Sequence, residues 1–461
     1  MSKDAKKTGQ TAGLTRRGVL SAGAGAAALA AMVGTGGKAA AAPVATKARI
    51  VILGAGAAGT GMANRLVQRL SGATITIVDG RKDHWYQPGF TLIAAGLKPA
   101  GYSVTPTGDW LPAGVTWVQD YAAAIDPAAN RVTTQGGTVL DYDFLIVATG
   151  LVLDWAAIEG FSLDAVGQNG IGAVYAGPDY AEKTWNAMSA FTDQGGIGLF
   201  GRPATEMKCA GAPLKYTFIT DDYLRRKGKR EASKIIYAAN NKALFSVPVV
   251  NEKVKLLFRD RGVEVRWDHI LTGVDTAAKQ AYYKVPASQV LNKDGTITST
   301  PEAIQQIGFD FINVIPPMRA PQAVRESGLS WGDKWTDQGW IEVDKATLRH
   351  IRFPNVFGLG DINGVPKGKT AASVKWQIPV VEDHLIAAIE GREGSAKYNG
   401  YTSCPMITKI GRAMLVEFDY DDNLTPSFPG VIAPLEELWV SWLMKEIALK
   451  PTYNAMLRGK A

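Results

Sequence analysis

The amino-acid sequence predicts an α/β fold: two Rossmann-like nucleotide-binding domains, the first interrupted by the second, followed by a C-terminal interfacial helical segment. Three observations carry that expectation. The stretch "ARIVILGAGAAGTGMANRLVQRL" reads as strand, glycine turn and helix. Further β-branched strands follow in "TITIVD", "YDFLIVATG" and "FPNVFGLGDI", each closing on an acid or a glycine. In mid-chain "GGIGLFGRPATEMKCAGAPLK" repeats strand, turn and helix, but without the glycine spacing.

Length and charge bound the rest. A chain of 461 residues with 46% hydrophobic and 20% charged residues is an ordinary globular protein of two or three domains. Its net charge of +7 suggests nucleic acid only until it is located: six Lys or Arg and one acid precede residue 42, leaving 44 basic against 42 acidic residues beyond it. Nucleic acid is therefore not expected as a partner. The basic leader, "LTRRGVLSAGAGAAALAAMVGTGG", places Arg16 and Arg17 ahead of a weakly apolar Ala/Gly run. It resembles a twin-arginine export signal over residues 1–41, with cleavage near Ala41, the other reading being an Ala-rich tail or poor anchor. Such export implies a periplasmic protein folded around a cofactor before it crosses the inner membrane. No later segment offers eighteen unbroken apolar residues to span a bilayer.

In the first βαβ unit, Gly54, Gly56 and Gly59 supply the tight turn, the close backbone approach to a pyrophosphate and the close helix packing. Asp79 ends the second strand twenty residues past the third glycine, where an acid accepts ribose hydroxyls. Thr149 with Gly150, and Gly360 with Asp361, close two later strands. Both combinations resemble the fingerprints of two-domain FAD-dependent disulfide oxidoreductases. That resemblance implies FAD, with Asp361 on its ribityl chain or phosphates and the next helix aimed at its pyrimidine. Lys369 opens that helix, so cation and helix dipole together would stabilise an anionic reduced flavin; a solvated surface lysine is the alternative.

Relatives that use NAD(P)H carry a second glycine fingerprint, and here Pro203 and Glu206 occupy that turn. Both discourage a pyrophosphate, so electrons are expected from something smaller. Cys209 follows directly on this turn, and the other cysteine, Cys404, lies 195 residues on. On spacing alone the pair reads as a structural disulfide, as buried single thiols or as a redox couple.

The blocks "DHWYQPGFTLIAAG", "KCAGAPLKYTFITDDYLRRKGKR", "VIPPM", "PNVFGLGD", "GYTSCPMIT" and "VEFDY" resemble the sulfide:quinone oxidoreductase family, in its two-cysteine branch related to the mitochondrial enzymes. The likeness runs from about residue 48 to "MLRGK" and leaves out the leader. It implies catalytic Cys209 and Cys404: hydrosulfide attacks their disulfide or a sulfur-bridged form of it, Cys404 keeps the new sulfur, and Cys209 becomes the thiolate beside the flavin. Sulfane sulfur then leaves to a small thiol or other acceptor, and a quinone removes two electrons. A third, flavin-linking cysteine has no counterpart, so FAD is expected to bind non-covalently. Glu206 and Lys208 could tune the thiolate, although ordinary loop charge is the default for both. Of the four histidines His84 lies in the flavin-side block, and none has metal spacing, so no metal is expected.

The last segment, "PLEELWVSWLMKEIALKPTYNAMLRGKA", read as a helix up to Pro451, has a polar stripe at Glu437, Ser441 and Lys445 inside an apolar arc of Leu435, Leu438, Trp439, Trp442, Leu443 and Leu449. Packing inside the protein and docking on a membrane interface both fit that pattern, and the family resemblance implies docking. Expected boundaries are a leader at 1–41, an FAD domain at 48–165 and 335–392, a degenerate NAD-like domain at 166–334 carrying "KIIYA", "VEVRW", "AYYKV" and "FDFINVIP" in a mixed sheet, and a tail at 393–461. A homo-oligomer is left open. The competing readings are the flavoprotein subunit of a flavocytochrome c sulfide dehydrogenase, an NADH:quinone reductase, and a flavin-bound sensor whose cysteines form a permanent disulfide.

Overall fold

The computed structural model describes residues 42–291, 294 and 296–460. The twin-arginine leader expected at 1–41 lies outside the described residues. β1 (Arg49–Leu53) is five residues of mostly β-branched sequence, all but the first buried. Such a run, apolar on both faces, suits the centre of a parallel sheet. It feeds α1 (Ala57–Arg69), then β2 (Thr74–Val78), β3 (Val115–Val118) and β4 (Phe144–Val147). A three-stranded antiparallel meander over 122–141 lies between β3 and β4.

The second unit repeats this plan. α2 (Pro178–Gln194) precedes β5 (Gly196–Gly201), α3 (Ala212–Arg226), β6 (Ser233–Ala238), α4 (Pro248–Asp260), β7 (Val263–Arg266) and β8 (Phe311–Asn313). With the short strand Ile171–Gly172 these make a parallel sheet in which β5 lies between β8 and β6. The strand in "AYYKV" is not part of it, contrary to the single mixed sheet expected. It is the centre of a separate antiparallel meander, Ile270–Asp275, Gln280–Val285 and Ala303–Gly308, counterpart of the 122–141 meander. β9 (Val356–Gly358) then returns to pair with β4, completing the first sheet in the order β9-β4-β1-β2-β3. α5 (Ala371–Ile389) packs against α1.

Two elements close the molecule over the sheets. β10 (Thr402–Lys409) and β11 (Arg412–Phe418) form a hairpin whose side chains alternate between two environments. Cys404, Met406, Met414 and Val416 enter the apolar core shared with α3, whereas Ser403, Pro405, Leu415 and Glu417 line a cavity on the other face. The C-terminal helix runs as α6 (Trp439–Leu443), a π-turn (Met444–Ala448) and α7 (Leu449–Leu457). It passes through Pro451 rather than ending there. Proline lacks an N–H and crowds the carbonyl four residues back, and the wider turn just before it accommodates both.

The helix orientation also differs from expectation. Ser441 and Lys445 of the polar stripe are buried, Glu437 pairs with Arg261 at 2.6 Å, and Trp442 is buried with them. Trp439 and Ile447 are left exposed. The stripe turns inward because its lysine has partners there: Lys445 Nζ donates to Pro88 O at 2.5 Å.

Candidate active site

The glycine turn after β1 opens one end of a cavity of about 1230 Å³. Gly54 has φ +103°, and a Cβ there would lie 2.4 Å from Ala148 O. A Cβ on Gly59 would lie 1.9 Å from Gly54 O, so the helix can sit on the turn only because this residue has no side chain. Gly56 differs: a Cβ would meet only Arg81 Nη2 at 3.8 Å, so its missing side chain leaves open space at the N-terminus of α1. That space, with amides that no side chain caps, fits a pyrophosphate. Asp79 Oδ2 accepts the Ala55 N–H at 2.7 Å and pairs with Arg81 at 3.2 Å, and both Asp79 and Arg81 line the cavity.

Thr149, Gly150 and Asp361 line the same cavity, as do Thr370, Ala371 and Ala372 at the start of α5. Burial pushes the Asp361 carboxyl up, against the pull of Lys208 and Lys369. Lys369 is neither solvated nor free: its Nζ donates to Asp361 O at 2.6 Å and Asn363 O at 2.7 Å and sits 3.8 Å over the Trp340 ring. Burial lowers its pKa to about 8. Glycine cradle, acids and helix N-terminus together fit an FAD-sized group.

The thiols meet beside this cavity. The loop from β5 to α3 lays Cys209 just before the helix at φ +47°, its N–H on Lys369 O at 2.9 Å and its carbonyl held by the Tyr175 hydroxyl at 2.9 Å. A non-glycine residue in the left-handed region is strained, and here it is over-determined by partners, as residues at functional sites often are. Cys404, on β10, reaches the same point from the hairpin and is 3% exposed. Gly211 makes the meeting possible, because a Cβ there would lie 2.2 Å from Cys404 Sγ although its φ of −80° suits any residue.

Two buried lysines flank the pair. Lys215, one turn into α3, places Nζ 3.5 Å from Cys209 Sγ. Burial opposes its charge, but the two sulfurs beside it outweigh that and raise its pKa. Lys445, from the π-turn, is pushed down to about 7 by burial and by Lys215. The hydrogen bond from Cys404, together with Lys215 and Lys445, draws Cys209 well below the usual thiol range; the same bond and burial push Cys404 up. The Lys215 ammonium at 3.5 Å and the hydrogen bond between the two sulfurs both favour the thiolate form of Cys209, the form in which a sulfur is nucleophilic.

Other predicted residues fall around this centre. Lys208 Nζ donates to Gln87 Oε1 at 2.6 Å and, by burial, is lowered to about 8; Glu206 is exposed. His84 is buried between Ala55 O and the Tyr453 hydroxyl (2.7 Å), and burial lowers its pKa to about 4, so it is neutral at pH 7. Among the described residues no cluster could hold a metal. The far end of the cavity is a mostly apolar mouth of Trp376, Pro405, Leu415, Phe428 and Met444 with Tyr401, Ser427 and Glu417.

The geometry brings both cysteines beside a cavity lined by Gly54, Gly56, Asp79, Thr149, Gly150, Asp361, Lys208 and Lys369, whereas Glu206 is exposed and Glu437 pairs with Arg261 elsewhere. What sequence reasoning missed is Lys215 and the inward role of Lys445. A lysine inside the apolar run "PLKYTFIT" was a usable signal for the first, and the four-residue spacing from Ser441 for the second.

Comparison with known proteins places these features in context. Residues 48–181 match the family model described as pyridine nucleotide-disulphide oxidoreductase. The mitochondrial sulfide:quinone oxidoreductase of Mus musculus is 34% identical over 415 residues, covering 89% of this chain and 86% of its own. That of Dictyostelium discoideum is 32% identical with the same coverage. Among solved structures, the sulfide:quinone oxidoreductase of Aquifex aeolicus superposes with a TM-score of 0.63 at 18% identity, over 81% of this chain and 84% of its own, a likeness of fold.

Proposed function

This chain belongs to the sulfide:quinone oxidoreductase family, and from that premise we propose that it is an FAD-dependent enzyme that oxidises sulfide to sulfane sulfur and passes two electrons to a membrane quinone. The observation that carries the reading is the single cavity that joins the glycine cradle, Cys209 and an apolar mouth. A reductant, a dinucleotide and an apolar oxidant each have a place along it.

In this reading Gly54, Gly56, Gly59, Asp79, Thr149, Gly150 and Asp361 hold FAD non-covalently, with Lys369 bracing the Asp361 loop through its carbonyl. When bound, a flavin supplies two-electron acceptance from sulfur and donation to quinone. The chain supplies the sulfur chemistry. Cys209 and Cys404 are the redox pair; Lys215 and Lys445 keep the leaving sulfur of Cys209 as thiolate when hydrosulfide attacks, which speeds exchange because a low-pKa sulfur leaves faster. Sulfur held on Cys404 passes to a small thiol. Exposed Trp439 and Ile447 dock the C-terminal helix on the periplasmic face of the inner membrane after twin-arginine export, so that quinone enters the mouth from lipid.

The test is an anaerobic flavin spectrum. Sulfide should bleach the oxidised bands and a short-chain quinone should restore them, and Cys404→Ser should block bleaching. A flavin that NADH bleaches while sulfide leaves it unchanged would refute the proposal.

A further inference from the structure

Glu417 is a 3% exposed carboxylate on the cavity face of β11, at the apolar mouth. Its hydrogen-bond donors are neutral: the Tyr401 hydroxyl, the Ser427 N–H at 2.7 Å and Ser427 Oγ at 2.6 Å. Lys367, which reaches the neighbouring Phe418 ring at 5.5 Å, is committed to Asp422. The other titratable groups lining this end are Tyr401 itself, raised by burial and by Glu417, and Lys375 on α5, lowered by burial. An acid set among apolar groups without a cation is costly unless it has work to do.

Resting on the quinone reading above, we propose that Glu417, with Tyr401 and Ser427, delivers protons to the quinone at the mouth. Quinone becomes quinol by taking two electrons, which sulfide oxidation supplies, and two protons, which must reach oxygens shielded from water. A carboxyl can both give and take a proton, and a hydroxyl can pass one on. The Tyr401 O–H breaks as a quinone O–H forms, and the Tyr401 oxygen is reprotonated by a proton that the Glu417 carboxylate takes up from solvent and hands on. That proton enters through Ser427, which is exposed and whose Oγ lies 2.6 Å from Glu417 and 3.2 Å from the Tyr401 hydroxyl. A second passage completes the quinol. The Tyr401 ring is held beneath Trp376 with centroids 5.2 Å apart, fixing the donor at the opening.

Glu417 also ties the 425–427 segment to β11, through its backbone as well as its carboxylate, so a purely structural role has to be separated. The test measures the two half-reactions of Glu417→Gln, which keeps the side-chain shape, with Ser427→Ala and Tyr401→Phe as milder variants. Bleaching by sulfide should be unchanged and reoxidation by a short-chain ubiquinone slowed about 100-fold, the usual scale for a lost proton donor. Ferricyanide takes electrons without protons, so with it the variant should turn over as the parent does. An infrared difference spectrum on quinone addition should show a carboxyl C=O band that Glu417→Gln lacks. Unchanged quinone rates, or an equal loss with ferricyanide, would overturn the proposal. If instead quinone fails to reoxidise the parent protein, it is the function reading that falls.

Discussion

Replacing Lys215 by Met keeps the bulk of a side chain that is 3% exposed and removes its charge 3.5 Å from Cys209 Sγ. A cation and a thiolate at that distance attract by about 5 kcal/mol at an effective dielectric near 20. Lys445 and the Cys404 thiol remain, and burying Lys215 no longer has to be offset, so roughly 2 kcal/mol should be lost, or about 30-fold in thiolate population. The assay is alkylation of reduced protein by iodoacetamide across pH, with Cys209 followed by peptide mass spectrometry. Below the inflection the variant should react about 30-fold more slowly, and at high pH, where both proteins are fully thiolate, the rates should converge. Because losing the cation disfavours the anion, the inflection must move to higher pH. An unmoved inflection would mean that Lys215 does not hold the thiolate; a loss that persists at high pH would mean the substitution blocked access instead.

Other expectations follow from single contacts. Gly56→Ala should fold and lose flavin on gel filtration, because only Arg81 lies within 4 Å of its new methyl, whereas Gly54→Ala should fail to accumulate as soluble protein, since its Cβ overlaps Ala148 O. Gly211→Ala should retain flavin and lose at least tenfold in sulfide turnover, because its methyl takes the place of the Cys404 sulfur; undiminished turnover would dismiss that steric argument. His84 and His350 are both lowered to about 4 by burial, so the unfolded chain binds these protons first. Their stabilising contribution is whole above about pH 6.5 and is lost as pH falls towards 4, on the order of 3 kcal/mol for each. His84→Gln should flatten part of that decline in thermal midpoint. Trp439→Asp with Ile447→Asp should abolish co-flotation with vesicles while leaving sulfide bleaching of the flavin intact, and unimpaired flotation would place the contact elsewhere.

The glycine turn was legible because it is a local object: strand, spacing and helix are contiguous, Gly54 and Gly59 leave no room for a side chain, and Gly56 leaves open space at the helix N-terminus. Cys209 stood out for a related reason, as the residue that follows directly on a turn where the expected glycines are missing. Lys215 was harder because a lysine inside an apolar helical run shows no partner in sequence, and its turn towards the Cys209 sulfur depends on how the loop before α3 folds back. The C-terminal helix misled more directly. Helical periodicity shows which residues share a face but not which face turns inward, and a stripe of serine and lysine normally meets water. Here Ser441 and Lys445 are buried and the lysine donates to the carbonyl of Pro88, a partner set by tertiary contact alone.

The alternation of β10 has a chemical consequence of its own. Quinones are electrophiles, and sulfur nucleophiles add to their rings as readily as they exchange with disulfides. Cys404 points to one side of the strand, and its neighbours Ser403 and Pro405 line the mouth on the other. Under the proposed function, one residue of pleat would work as a partition between two reagents that react with each other: sulfur on Cys404 would face protein, and the oxidant would face Ser403 and Pro405. Inserting one alanine before Cys404 would leave the charge unchanged yet turn the sulfur towards the oxidant, and the expected product is a thioether-modified quinone.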